Sequence, residues 1–178
     1  CIEDPIREEA CDVIGELRKE GFKHIVMMTG DSERTARAVA KQLGITEYYS
    51  EVLPEDKAAF VKRAHENGRR VVMIGDGVND APALSESGAG VAVSSGAAIT
   101  REIADITITA DDLYSLITMK RLSDRLMRRI HGNYRFIMSF NTALIVLGVA
   151  GVLPASTSAL LHNTSTLAIS LKSMTDLL

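Results

Sequence analysis

The chain has 178 residues, a formal net charge of −3, 4% aromatic residues and no Trp. That length allows one domain with a sizeable core plus a further segment. The weak negative charge and the missing stacking platform exclude a basic nucleic-acid binder.

In chain order, Ile6 to Lys19 has apolar positions at helical spacing and ends at Gly21. Cys1 and Cys11 lack CxxC spacing, which fits a reducing cytosolic compartment and no metal role for the pair alone. The opening CIEDPIREEA has neither Met nor a signal-peptide pattern and reads as the interior of a longer protein. His24 to Met28 is a short apolar strand running into Thr29-Gly30-Asp31. Asp31 or Ser32 is expected to cap a helix through Leu43, stopped by Gly44. Tyr48 to Leu53 is a strand candidate, and Pro54 to Asn67 a helix with Pro at its start and Gly68 at its end. Val71 to Ile74 has the length and β-branching of a buried strand. A helix from about Asn79 to Glu86 follows, then strands at Val91–Val93 and Ile106–Thr109. This alternation predicts an α/β domain over residues 1–112, a parallel sheet with helices on both faces. The small-residue loop Ser94-Ser95-Gly96-Ala97-Ala98 offers no obvious chemistry, and no internal repeat is present.

Asp112 to Ile130 is an amphipathic helix, and residues 113–135 read as a connector. From Phe136 to Leu171 there is no Asp, Glu, Lys or Arg. That run covers two short spans of a bilayer core of ~30 Å, with a break at Gly151-Val152-Leu153-Pro154. Residues 136–178 are therefore expected to form a transmembrane helical hairpin and tail. A buried hairpin in a soluble protein is the alternative. Arg125, Arg128, Arg129 and Arg135 before the first span and Lys172 after the second place both ends in the cytoplasm.

The most informative string is GDGVNDAPAL, Gly75 to Leu84. Asp76 sits at a strand end, where ligands lie in open α/β sheets. Asp80 follows where a helix begins. Two carboxylates on one turn can hold Mg²⁺, a hard cation that shares its shell with water and phosphate. For an isolated Asp-Gly, a turn and helix cap is the ordinary reading. The full string resembles the magnesium-binding motif of P-type ATPases, a branch of the haloacid-dehalogenase-like phosphotransferases.

That resemblance implies a dehalogenase-like fold and successive strand-end positions around one site. It assigns Thr29, with Gly30 and Asp31, to hold the transferring phosphoryl group, Lys57 to stabilise its charge, and Asp76 with Asp80 to bind Mg²⁺. Gly75, Gly77 and Asn79 fall in the phosphate vicinity. Asp4 and Arg7, in Asp-Pro-Ile-Arg, resemble the segment joining the nucleotide-binding and phosphorylation domains, which implies a contact near ATP. The family's phosphorylated aspartate lies in an Asp-Lys-Thr-Gly-Thr motif on the first strand, and these 178 residues contain none. The resemblance thus implies a C-terminal part of such a pump, lacking its N-terminal part and unable to form the phosphoenzyme alone.

A chain ending two helices beyond the phosphorylation domain resembles the heavy-metal pumps, as does the segment LLHNTSTLAISLKSMTDLL. Polar groups inside a span tend to mark an ion path, so Asn141, His162, Asn163 and Thr166 are candidates. His162 and Thr166, four apart, share a helix face. A neutral imidazole suits Zn²⁺, Co²⁺, Ni²⁺ or Cu²⁺; hydrogen bonding between helices is the alternative, favoured for Ser165. Copper(I) pumps have a Met and two Ser where His162, Ser165 and Thr166 stand. Zinc and cadmium pumps have a Lys in the first helix and an Asp in the second, whereas Asn141 holds the polar position here and Asp176 lies too near the end. Cobalt-type pumps have His-Glu-Gly, with Asn163 here in place of the Glu. The ion stays open, with Cu⁺ disfavoured.

The expectation is an ATP-driven exporter of a transition-metal ion, its soluble domain cytoplasmic and its hairpin in a bacterial plasma membrane. The connecting helix would transmit motion. A membrane-anchored dehalogenase-like phosphatase would need an Asp-x-Asp nucleophile, and none precedes Thr29. A non-catalytic truncated pump fragment is the other rival.

Overall fold

The structure is a computed structural model and describes residues 6–75, 78–93, 103–108 and 112–175. Asp4, Asp76, Gly77, Asp176 and the 94–98 loop lie outside the described residues. The chain divides into two compact units, residues 1–118 and 119–178.

In the first unit, α1 (Ala10–Lys19) turns the buried Val13 inward and packs against α2 (Glu33–Leu43). Ala36 and Ala40, four apart on α2, are both buried; their lack of bulk lets neighbouring elements come close. Gly44, at φ +65°, ends α2 in a Schellman turn: its N–H donates to Lys41 O and that of Ile45 to Ala40 O. The expected cap at the other end of α2 does not form. Neither Asp31 nor Ser32 bonds the first-turn amides; the Ser32 hydroxyl meets the Thr35 hydroxyl at 3.1 Å.

All strand pairings are parallel. β1 (Val26–Met28) pairs with β2 (Glu47–Tyr49), Val26 opposite Glu47. β3 (Val72–Gly75) pairs with β4 (Ala89–Val93), and β4 with β5 (Ile106–Ile108); Ile74 faces Val91, and Val91 faces Ile106. β2 is thus shorter than the strand at 48–53 that the sequence predicts, and Thr109, the last residue of the strand expected at 106–109, lies outside the described residues. The single expected sheet is two pieces among the described residues, β1–β2 and β3–β4–β5. α3 (Pro54–Glu66) packs on the short α4 (Ala81–Glu86). Val61, Leu84 and Val91 are the largest fully buried side chains, each worth about 1.5–3 kcal/mol relative to exposure. This core stands directly behind the C-terminal end of β3.

In the second unit, the expected boundary between connector and first span is not a helix end. α5 runs unbroken from Ser115 to Val149, starting in the first unit and continuing through residue 135. α6 (Ala155–Ser173) follows a turn through Gly151, with Pro154 preceding its first residue. The hairpin is tied at its open end, where Arg129 donates to the Ser173 and Thr175 carbonyls and Asn133 Nδ2 to Ser173 Oγ at 2.8 Å. No helix among the described residues is long and apolar enough to cross a membrane. The charge-free run enters α5 only at Phe136 and leaves it at Val149, and α6 interleaves its leucines with Ser, Thr, His and Asn. Large apolar side chains are nonetheless exposed along both helices, among them Ile145, Val149, Leu160 and Leu167.

Candidate active site

Three strand-end segments build the site. β1 delivers Thr29, whose hydroxyl donates to Asp31 Oδ2 at 2.7 Å and accepts the Asp31 N–H at 3.1 Å. The Thr29 N–H donates to Tyr49 O at 3.0 Å, because β1 and β2 continue their ladder through it. Two more backbone bonds fasten this loop to the one after β2: Val52 N–H to Thr29 O and Glu51 N–H to Asp31 O. Glu51 adopts φ +53°, a left-handed conformation that costs energy in a non-glycine residue. Gly30 is exposed between the two polar residues.

The loop after β2 leads into α3, whose first turn carries Lys57. Its Nζ bonds Asp80 Oδ1 at 2.7 Å, and the two side chains are only 14% and 11% exposed. Asp80 ends a 3₁₀ turn, Val78–Asp80, after β3. It stands at the start of α4 but makes no capping bond there, so the ordinary cap reading does not describe it. Asp80 folds back over Gly75 instead. A Cβ on Gly75 would lie 2.6 Å from Asp80 Cβ and 2.9 Å from its Oδ2. Only glycine allows this approach. Among the described residues Oδ2 of this buried Asp80 makes no hydrogen bond.

A hard dication takes carboxylate oxygens, and Asp80 Oδ2 is one held at a strand end. Its companion Asp76 lies outside the described residues, and no cluster of three or more His, Cys, Asp or Glu occurs among them. The donor fits, with the rest of the shell left to Asp76, water or phosphate.

The structure thus joins Thr29 to Asp31 and Lys57 to Asp80. No hydrogen bond links the two pairs to each other among the described residues. Arg7 is exposed before α1 and makes no side-chain bond to any of the four; Asn79 is exposed beside Asp80.

Sequence reasoning missed Glu33. Its carboxylate accepts from Ser50 Oγ at 2.8 Å, Arg37 Nη2 at 2.7 Å and Tyr48 OH at 2.9 Å, tying α2 to β2 and the following loop. Ser50 first, then Arg37 and Tyr48, hold it below the usual carboxylate range. Glu33 also lines a cavity of about 430 Å³ with Met28, Tyr49 and Phe60. Its three partners are four, fifteen and seventeen residues away; only the Arg37 spacing was a visible helical pair.

In the second unit, His162 Nδ1 and Asn141 Oδ1 are 2.9 Å apart. Ser165 and Thr166 both donate to His162 O, at 2.8 and 3.0 Å. Ser165 therefore bonds within its own helix rather than across the hairpin. Asn163 is exposed.

Residues 1–88 match the haloacid dehalogenase-like hydrolase family. The manganese-exporting P-type ATPase of Mycobacterium tuberculosis is 40% identical over 169 residues, 94% of this chain and 24% of that protein. The zinc-exporting P-type ATPase of Mycobacterium marinum is 39% identical, over 94% of this chain and 23% of its own length. A crystal structure of a zinc-transporting PIB-type ATPase matches 97% of this chain and 28% of that one, with TM-score 0.85 and 30% identity. The chain spans about a quarter of the length of these curated relatives.

Proposed function

With residues 1–88 dehalogenase-like and 94% of the chain homologous to metal-exporting P-type ATPases, we propose that the protein is the C-terminal part of an ATP-driven transition-metal exporter. It works through an aspartyl-phosphate intermediate. The observation that carries this reading is the buried Lys57–Asp80 pair at the end of β3.

Phosphoryl transfer asks mainly for positioning and charge neutralisation. Lys57, on the first turn of α3, brings a cation to the strand ends, and Asp80 fixes its direction. Thr29 sits in the loop that Val52 and Glu51 fasten, its hydroxyl engaged by Asp31 with Gly30 between them, and in this reading the hydroxyl is handed to the phosphoryl group. Bound by Asp80 with Asp76, Mg²⁺ would neutralise charge on the phosphoryl oxygens. The same reading assigns Gly75, Gly77 and Asn79 to the phosphate and Asp4 and Arg7 to a nucleotide contact. The acceptor carboxylate belongs to a part of the pump outside these residues. Among the described residues, β1 pairs only with β2 and β3 only with β4. A parallel strand between β1 and β3 would deliver its C-terminal end beside Thr29 and Asp80.

The same reading sets the 136–178 hairpin in the bilayer of a bacterial plasma membrane, with the first unit cytoplasmic. Its support is the charge-free run, the exposed leucines and isoleucines, and the 97% coverage by the zinc-transporting structure. Asn141, His162, Asn163 and Thr166 line the ion path. An imidazole there favours a divalent first-row ion over Cu⁺.

The test is labelling with γ-labelled ATP and Mg²⁺. The 178 residues alone acquire no acid-stable phosphate; the same residues joined to an upstream segment bearing the acceptor do. A labelled band on the isolated chain would refute this division of roles.

A further inference from the structure

We propose that Asn141 is a positioning residue that holds His162 in the Nδ1–H tautomer and leaves the Nε2 lone pair as the open atom of the ring. The two residues face each other across the α5–α6 hairpin, inside the second unit, with Nδ1 2.9 Å from Oδ1. An amide oxygen only accepts, so the proton of this bond sits on Nδ1. A neutral imidazole carries one proton, and Nε2 is then unprotonated.

Nothing else among the described residues bonds the ring. It stands in the wall of a cavity of about 560 Å³ whose other lining includes Leu144, Gly148, Leu153 and Ser158. No other titratable side chain among the described residues lines that cavity. Ser165 and Thr166 donate to the His162 carbonyl, not to the ring, and so leave its nitrogens to Asn141 and to whatever enters.

The tautomer matters because it decides what the ring offers. Unconstrained neutral histidine prefers its proton on Nε2, which would present a donor that no cation can use. With Nδ1–H anchored, Nε2 presents a lone pair, the form in which imidazole binds first-row metals. The purpose assigned to this arrangement rests on the ion-path reading above; the tautomer itself does not.

The test uses the whole chain in phospholipid nanodiscs, with ¹⁵N-labelled histidine, at pH ~8.5, above the imidazole range. Long-range ¹H–¹⁵N correlations identify the protonated nitrogen, and His162→Gln identifies the signal. The expected result is Nδ1–H in the wild type, a shift to Nε2–H in Asn141→Leu, and a return to Nδ1–H in Asn141→Asp, whose carboxylate can also accept. Nε2–H in the wild type, or the wild-type tautomer retained in Asn141→Leu, overturns the proposal. Zn²⁺ is then added. A shift at Nε2 that needs roughly 10–100 times more Zn²⁺ in Asn141→Leu, and is restored in Asn141→Asp, supports both the proposal and the ion path. If the tautomer follows Asn141 while Zn²⁺ leaves Nε2 untouched, the ion-path reading falls and the positioning role stands.

Discussion

Lys57 Nζ and Asp80 Oδ1 meet at 2.7 Å although the residues lie twenty-three apart in sequence. One comes from the helix after β2 and the other from the turn after β3, so the pair joins the ends of the two sheet pieces. Both side chains are largely withdrawn from water, and removing one partner strands a buried charge. Lys57→Met should therefore cost about 3 kcal/mol. The double variant Lys57→Met, Asp80→Leu should recover much of that loss, because two apolar groups replace two desolvated ions. Urea unfolding of the single and double variants gives the coupling energy; equal losses that simply add would disprove it.

Gly75 makes room for that pair. In Gly75→Ala the new Cβ would sit 2.6 Å from Asp80 Cβ, so Asp80 must leave its position over the strand end. We expect a loss of about 1–3 kcal/mol together with weaker Mg²⁺ binding. Gly132, within α5, has nothing within 4 Å of its would-be Cβ. Gly132→Ala should therefore stabilise by about 0.5–1 kcal/mol through helix propensity. Thermal melts and Mg²⁺ titration calorimetry of the two variants compare a glycine needed for approach with one that is not.

Glu33 supplies a pH dependence. Its folded pKa lies below the ordinary glutamate value, through Ser50 first and then Arg37 and Tyr48. The unfolded chain then binds more protons as the pH falls. Its stabilising contribution is present above the unfolded value and is lost as the pH drops through the lower, folded value. Glu33→Gln should flatten the acid limb of the stability–pH curve and leave the shape of the curve above pH ~7 unchanged. Denaturant midpoints measured down the acid range check this; an unchanged acid limb would remove Glu33 from it.

The placement of the hairpin can be read by labelling. In a Cys1→Ser, Cys11→Ser background, single cysteines at Ile145 and Leu167, both exposed on their helices, should resist a water-soluble maleimide in phospholipid vesicles. A cysteine at Glu55, exposed at the start of α3, should react. Equal reactivity at all three positions would mean that α5 and α6 stand in water.

Much of the first unit was legible in the sequence because its signals are local. Gly44 ends α2, Pro54 opens α3, and the β-branched run before Gly75 is β3. Strand lengths and the division of the sheet were not legible, since pairing depends on which neighbours are present. The role of Asp80 was half visible. Its place in GDGVNDAPAL marked it as a carboxylate where a helix begins, on one turn with Asp76, but its bond to Lys57 crosses two elements that no spacing rule connects. Thr29 was visible only as part of Thr-Gly-Asp: its hydroxyl faces Asp31, and its N–H is taken by Tyr49 O because the strand ladder runs one residue further. The continuous α5 escaped notice because charge ends at Arg135 whereas helix propensity does not.

The central claim is that Lys57, held by Asp80, supplies the positive charge for phosphoryl transfer. The most direct measurement is the rate of phosphoenzyme formation from ATP and Mg²⁺ in a pump containing this chain, wild type against Lys57→Met. Amide hydrogen exchange in β3 and β4 serves to confirm that the variant is folded. The account predicts a fall of about 10²–10³-fold, the usual consequence of removing one preorganised charge-stabilising group. A folded Lys57→Met pump that phosphorylates at the wild-type rate would contradict it.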